Sequence, residues 1–181
     1  MIESVFVKGN KEIRDFFIGK YPVTQEQWVE IMGNNPSYFK GDDHPVERVS
    51  WDDVQEFLKK LNNKYPGHNY RLPTETEWEY AAKGGIAFKE YAFSGSDDVN
   101  EVGWYYDNSD KRTHPVGEKA PNELGIYDMS GNVWELCNDE SNYIVRGGSW
   151  DSNPYLCRAS FREDGNPYYR FFSLGFRVVH N

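Results

Sequence analysis

The fold of this chain is decided by two neighbouring stretches, Gly125-Ile126-Tyr127-Asp128-Met129-Ser130-Gly131-Asn132-Val133-Trp134-Glu135 and Arg146-Gly147-Gly148-Ser149-Trp150. The glycine pair indicates a bulge or a close backbone approach, and the tryptophans are most simply core rings with locally satisfied polar edges. The whole chain shares this character: 17% of its residues are aromatic and 16 are glycine, while its mean hydropathy is −0.81. This composition favours a loop-rich globular fold, and 181 residues are enough for one domain.

Short helices are predicted by hydroxyl residues that begin capping boxes. Thr24, Ser50 and Thr74 each stand three residues before a glutamine or an acid and just ahead of an apolar run. Such a hydroxyl accepts a hydrogen bond from the N–H three residues on, while the later side chain reaches back. We therefore expect helices near residues 24–33, 51–64 and 75–83.

The remainder of the chain is expected to form short strands and long loops. Runs of apolar residues predict strands at 16–21, 144–150 and 175–179. Residues between about 85 and 143 are expected to be mostly irregular. Because their backbone groups need partners, side-chain hydrogen bonds or a bound ion must hold this stretch.

Several segments, in a fixed order and covering nearly the whole chain, resemble the formylglycine-generating-enzyme (sulfatase-modifying factor) family. They are Ile18-Gly19-Lys20-Tyr21-Pro22-Val23-Thr24, His44-Pro45-Val46 with Val49-Ser50-Trp51, Tyr70-Arg71-Leu72-Pro73-Thr74-Glu75-Thr76-Glu77-Trp78-Glu79-Tyr80-Ala81-Ala82, the two stretches quoted above, and Gly175-Phe176-Arg177. The resemblance implies an α+β, C-type-lectin-like single domain over residues 1–181. Such a domain has short helices, small antiparallel sheets and much irregular structure.

The catalytic chemistry of that family is not expected here. The family enzyme binds copper and reacts with its substrate through a cysteine pair placed shortly after the Gly-Gly-Ser-aromatic motif. Ser152 aligns with the first cysteine, and residues 153–156 contain no second one. Cys137 and Cys157 are interpreted as buried structural thiols, with a disulfide between them as the alternative. The sequence therefore predicts that the protein is not an enzyme.

Metal sites are weakly indicated. Sulfoxide synthases of this fold add a histidine-bearing iron-binding domain, whereas the four histidines of this chain are scattered without ligand spacing. The resemblance does imply that the loop 130–135 matches a calcium-binding loop, in which only Glu135 transfers as a side-chain ligand. The alternative is a buried Glu135 paired with an arginine. No other cofactor is expected.

The segment 151–173 contains two kinds of position. Some match the family: Arg158, Ala159, Arg162, Pro167 and Arg170. The others are Asp151, Ser152, Asn153, Tyr155, Leu156, Phe161, Gly165, Asn166, Tyr168, Tyr169, Phe171, Phe172 and Ser173. Large rings on irregular backbone are typical of binding surfaces. The alternative is a rigid, partly buried loop packed by its own rings.

This segment resembles the variable region of ligand-binding proteins that diversity-generating retroelements diversify. Adenine-directed mutagenesis of asparagine codons excludes lysine, glutamate, glutamine, methionine and tryptophan. The thirteen positions of the second kind obey that exclusion, and Glu163 would have to be a fixed position. The resemblance implies a hypervariable protein that presents residues 151–173 as a ligand-binding face. The alternatives are a divergent enzyme of the formylglycine-generating class and an accessory domain without such a face.

The charge of the chain limits its partners. The net charge is −9, which disfavours binding to nucleic acid or to anionic membranes. We expect a protein or a surface ligand as the partner, no membrane insertion, and a monomer. The first residues lack the basic and apolar regions of a signal peptide, and no apolar run is long enough to span a membrane. The expected location is intracellular, virion-associated or at a surface by other means.

Overall fold

The computed structural model describes residues 1–138 and 143–181, and it has an α+β fold. The strands are β1 (Ser4–Val7), β2 (Phe16–Gly19), β3 (Trp134–Asn138), β4 (Tyr143–Arg146), β5 (Arg162–Asp164), β6 (Leu174–Gly175) and β7 (Val179–His180). The helices are α1 (Gln25–Met32), α2 (Trp51–Lys64), α3 (Glu75–Ala82) and α4 (Val99–Val102), with a 3₁₀ turn over Gly85–Ala87. Within the described part of the chain, no helix has the length and apolar character needed to cross a membrane.

The three predicted helices are confirmed, and each begins with a complete capping box. The hydroxyls of Thr24, Ser50 and Thr74 accept from the backbone three residues on, and the later side chains bond back. These contacts satisfy N–H groups that have no partner inside the helix. The start of each helix is thus fixed by residues that are close in sequence.

Two small sheets form the rest of the framework. One has the order β1-β2-β7 and is antiparallel, and the other has the order β5-β4-β3-β6. The pairing of β3 with β6 is parallel, which corrects the expectation of purely antiparallel sheets. It arises because the chain leaves β4, passes through residues 151–173, and returns beside β3 in the same direction.

The late strands are shorter than predicted. The strand expected over 144–150 ends at Arg146, because Gly147 and Gly148 have φ of 92° and 70°. A residue with φ in this region cannot continue a strand. The strand expected over 175–179 is divided between β6 and β7, which belong to different sheets.

The irregular stretch is held by side-chain hydrogen bonds, one of the two means expected. Asn122 donates to the carbonyl of Ala81 at 2.8 Å, and Asn132 exchanges hydrogen bonds with the backbone of His114. These amides replace the ladder bonds that regular structure would supply. The prediction of irregular backbone over 85–143 is confirmed apart from the 3₁₀ turn, α4, β3 and the first residue of β4; residues 139–142 lie outside the described ones.

The core is built around aromatic rings. Trp28 stacks on Phe57 with 5.2 Å between ring centroids, and Phe176 packs edge-on against Phe57. Trp78, predicted to be a core ring, is fully buried in a second cluster between α3 and the strands. Trp134, also predicted to be in the core, is only half-buried, because β3 lies at the edge of a surface groove.

Candidate ligand-binding face

The backbone of residues 151–173 is fixed to the rest of the fold by main-chain hydrogen bonds. The N–H of Trp51 donates to the carbonyl of Pro167 at 3.1 Å, and the N–H of Arg48 donates to that of Phe171 at 3.0 Å. These bonds use only main-chain atoms of the segment. Its path therefore does not depend on the side chain that position 171 carries.

Arginines at family-matching positions hold the same segment from the side. Arg170 donates two hydrogen bonds to Asp53, at 2.7 and 3.0 Å, and so ties the segment to the N-terminus of α2. Burial would raise the pKa of Asp53, but hydrogen bonds from Arg170 and Ser50 outweigh it and keep that pKa below its ordinary value. Arg162 donates to Glu75 at 3.0 Å.

A tryptophan joins the beginning of the segment to its end. The indole Nε1 of Trp150 donates to the carbonyl of Phe172 at 3.0 Å, and its ring stacks on the Phe172 ring. The N–H of Trp150 donates to the carbonyl of Asn132 at 3.0 Å. The segment is therefore closed as a loop on the 125–135 stretch.

The large rings of the segment project into solvent. Tyr155, Tyr168, Tyr169, Phe171 and Phe172 are 62%, 77%, 49%, 50% and 46% exposed. Tyr169 and Phe171 contact each other edge to face at 4.9 Å between centroids. Neighbouring exposed rings are uncommon on a monomer surface unless the surface binds something. This exposure favours a binding surface over the alternative, a rigid, partly buried loop packed by its own rings.

The other candidate positions differ in accessibility. Asp151 and Asn153 are exposed. The half-buried ones are Leu156, Phe161, Gly165, Asn166 and Ser173. Ser152 was expected to contribute to the face, but it is buried, and its Oγ accepts from the Ser149 N–H at 3.0 Å. This hydroxyl closes the turn that follows the glycine pair, so Ser152 has a structural contact instead.

A groove of about 400 Å³ lies beside the exposed rings. Among the residues that line it are the aromatic residues Trp134, Tyr169 and Phe171 and the acidic residues Asp151, Glu163 and Asp164. Concave sites of this size that combine apolar rings with a few polar groups are typical of ligand pockets. The groove gives the candidate face a recess.

Two further tyrosines border the face, and the sequence analysis missed both. Tyr38 is 65% exposed, and its ring centroid lies 6.0 Å from that of Phe172. Tyr106 is 58% exposed, and its N–H donates to the carbonyl of Ser152. Both are large rings on irregular backbone, the same signal that identified the C-terminal segment. That signal could have been applied to the whole chain.

The loop that carries Tyr38 is held by a buried carboxylate. Glu47 is fully buried, and its Oε1 accepts hydrogen bonds from the N–H groups of Tyr38 and Phe39. Its Oε2 has no hydrogen-bond partner among residues 1–138 and 143–181. Burial raises the pKa of Glu47 to about 7, since the charged form is poorly solvated there.

Glu47 should make stability depend on pH. Because its folded pKa of about 7 exceeds its ordinary value of 4.5, the folded state binds the proton more tightly. The stability contributed by this group is complete below pH 4.5 and is lost as pH rises to about 7. Glu47→Gln removes the ionisation, so its melting temperature should fall less than that of the wild type between pH 5 and 8. Circular dichroism melts at both pH values measure this.

Glu90→Gln is the matched control for that experiment, because Glu90 is an exposed glutamate. Its melting temperature should follow the wild type at both pH values. An identical pH dependence in wild type and Glu47→Gln would show that Glu47 is ionised without penalty in the folded protein.

The cysteines are far from reactive. Cys137 and Cys157 are both buried free thiols in the described structure, and they belong to different core clusters. Burial raises the pKa of Cys157 to about 12 and that of Cys137 well above its ordinary value. A thiolate is the form that binds copper and attacks substrates. Neither thiol supplies one near neutral pH.

Glu135 is the counter-ion of a buried arginine, which was the alternative to a calcium ligand. Its two oxygens accept from Arg177 at 2.6 Å each, and Oε2 also accepts from the Trp78 indole at 2.6 Å. All three side chains are fully buried. A calcium ion on Glu135 would lie against the Arg177 guanidinium, so the residues present do not fit a cation at Glu135.

The sequence model of the sulfatase-modifying factor enzyme 1-like domain matches residues 6–181. The chain belongs to this family. A curated relative, the chaperone protein LppX of Paenibacillus barcinonensis, is 36% identical over 88% of this chain and 78% of its own length. The formylglycine-generating enzyme of Streptomyces coelicolor is 28% identical over 85% of this chain, which spans 60% of that enzyme.

A solved structure, Treponema denticola variable protein 1, shares the fold over almost the whole chain. The TM-score is 0.84 with 28% sequence identity, and the match covers 99% of this chain and 92% of the other. The family resemblance and the α+β fold class predicted from the sequence are thereby confirmed, as is the similarity to variable proteins.

Proposed function

We propose that this member of the sulfatase-modifying factor family is a non-catalytic ligand-binding protein of the kind diversified by retroelements. The face formed by residues 151–173 would hold the ligand. The observation that carries the proposal is the exposure of five large rings on a segment whose backbone is fixed. A rigid backbone lowers the entropy lost on binding, and exposed rings supply contact area.

The two kinds of position in the segment make different contacts, which supports the proposal. At family-matching positions, Ala159 is buried, while Arg162 and Arg170 form ion pairs with the helices. Arg158 is the exception, since it has no ion pair with any described residue and lies over the ring of Tyr155. Twelve of the thirteen other positions are exposed or half-buried. Side chains that vary would therefore alter the surface and leave the packing intact.

The likeness to a variable protein from Treponema denticola adds support, because the match covers 99% of this chain and so includes nearly all of the segment. The expected partner is a protein or a surface ligand. We expect the protein to act as a monomer.

The alternative function is a divergent enzyme of the formylglycine-generating class, which the family and the Streptomyces relative favour. It requires copper bound by thiolates. Metal analysis after incubation with copper(I), together with turnover of a cysteine-containing peptide, tests it. Stoichiometric copper that is lost on Cys157→Ser would favour the enzyme over the binding protein.

Binding by the face is tested with a random-peptide display library panned on the full chain. The affinity of selected peptides should fall more than about tenfold in Tyr168→Ala/Tyr169→Ala, since central aromatic contacts are typically worth 2 kcal/mol or more. Phe88→Ala is the matched control, because Phe88 is 52% exposed and absent from the candidate face. Biolayer interferometry gives the dissociation constants.

Equal affinity of the peptides for all three proteins would contradict the proposed face. Sequencing the surrounding genome provides an independent test. A neighbouring reverse transcriptase and a near-copy template repeat are expected for a diversified protein. An accessory domain without a diversified face would have neither.

A further inference from the structure

The groove beside the exposed rings carries negative charge that basic residues do not balance. Asp151, Glu163 and Asp164 line it. Glu163 and Asp151 have no ion pair with any residue of the described ranges 1–138 and 143–181. Asp164 has one basic neighbour, Arg162, at 3.9 Å, and that arginine is already bonded to Glu75. Most of the negative charge of the groove therefore has no basic partner among the described residues.

The same groove is lined by three aromatic residues. Trp134 is half-buried, and Tyr169 and Phe171 are about half exposed. A cation within about 6 Å of such a ring is attracted by its quadrupole, most strongly for tryptophan. The rings and the carboxylates of the groove thus both attract a positively charged ligand.

A metal ion does not suit this arrangement. Within the described residues, the structure contains no group of three or more acids, histidines or cysteines able to hold one. The three acidic residues line a recess of about 400 Å³, far larger than a single ion. An elongated organic cation with an apolar stem matches both the rings and the charges.

We infer that this groove accepts a lysine or arginine side chain of a protein ligand, an assignment that rests on the proposed function. The apolar stem lies against Trp134, Tyr169 and Phe171, and the cationic end lies among the carboxylates. The net charge of −9 attracts basic ligands over a longer range and repels acidic ones.

The groove is tested directly with Nα-acetyl-lysine methylamide and its neutral counterpart, Nα-acetyl-norleucine methylamide. The indole N–H signal of Trp134 in the NMR spectrum of the full chain reports binding, and Trp134→Phe assigns it. A fragment of this size should bind with a dissociation constant on the order of millimolar. The lysine probe is expected to bind about tenfold more tightly than the norleucine probe.

A variant that lacks two of the negative charges of the groove tests the role of charge. The affinity of Glu163→Gln/Asp164→Asn for the lysine probe should be roughly tenfold lower than that of the wild type. A higher salt concentration should also weaken binding of the lysine probe to the wild type, because salt screens the charges. Glu90→Gln, an exposed glutamate outside the groove lining, should bind like the wild type.

Equal shifts from both probes, no shift from either, or unchanged affinity in Glu163→Gln/Asp164→Asn would overturn the cationic assignment. If the affinity of the peptides selected on the full chain still depends on Tyr168 and Tyr169, the proposed function stands without the cationic assignment of the groove. If no peptide depends on those rings while the lysine probe binds, the groove is a cation site and the proposed face fails.

Discussion

Replacing Arg177 with methionine should destabilise the protein by about 3–5 kcal/mol, the cost of leaving one partner of a buried ion pair uncompensated. Arg177 and Glu135 are both fully buried and are bonded at 2.6 Å. Arg177 also donates to the carbonyls of Gly19 at 3.0 Å and Tyr127 at 2.9 Å, so the substitution removes hydrogen-bond donors from three groups. A loss of this size is a large fraction of the 5–15 kcal/mol that typically stabilises a domain.

Urea unfolding followed by tryptophan fluorescence measures that loss as a lower midpoint. Lys64→Met is the matched control, because Lys64 pairs with Glu30 at 2.6 Å where both side chains are 43% exposed. Its midpoint should hardly change, since water replaces an exposed partner. If both variants unfolded at the same urea concentration, the Arg177–Glu135 pair would not be the internal support described above.

Gly131→Ala should be the second strongly destabilising change, costing more than about 3 kcal/mol through backbone strain and overpacking. Gly131 has φ of 85°, and a Cβ there would lie 2.2 Å from the carbonyl oxygen of Trp104. That oxygen belongs to the main chain and is bonded to the Asn132 N–H at 2.8 Å, so it cannot easily move. The loop beneath the candidate face would have to open.

Gly125→Ala separates the two contributions. Gly125 has φ of 79°, close to that of Gly131, but a Cβ there meets nothing within 4 Å. Gly125→Ala should destabilise the protein only through the strain of an alanine at positive φ, by about 1–2 kcal/mol. Thermal or urea unfolding of both variants gives the difference, and equal losses would mean that the contact with Trp104 relaxes.

The helices could be predicted from the sequence because their signals are local. Thr24, Ser50 and Thr74 start capping boxes with residues only three positions away. The parallel pairing of β3 with β6 could not be predicted in this way. It joins Trp134 to Leu174 across a long connection, so it depends on how the chain returns rather than on neighbouring residues.

The candidate face was partly predictable, because its aromatic residues are also a local signal in the sequence. Rings on backbone without periodicity have few ways to be buried, and the exposure of Tyr168 and Phe171 follows. Ser152 could not be distinguished from its exposed neighbours, because its burial depends on the turn formed with Ser149. The position of Tyr38 beside Phe172 depends on tertiary packing that no local pattern records.

The main-chain bonds that hold residues 151–173 have a practical consequence. Trp51, Arg48 and Trp134 donate to carbonyl oxygens that every amino acid possesses, so substitutions in the segment leave these bonds in place. We therefore expect that many exposed positions can be exchanged at once while the melting temperature stays nearly constant. A collection of such chains would share one scaffold and differ in what it captures, which makes the domain a starting point for selecting new binders in the laboratory.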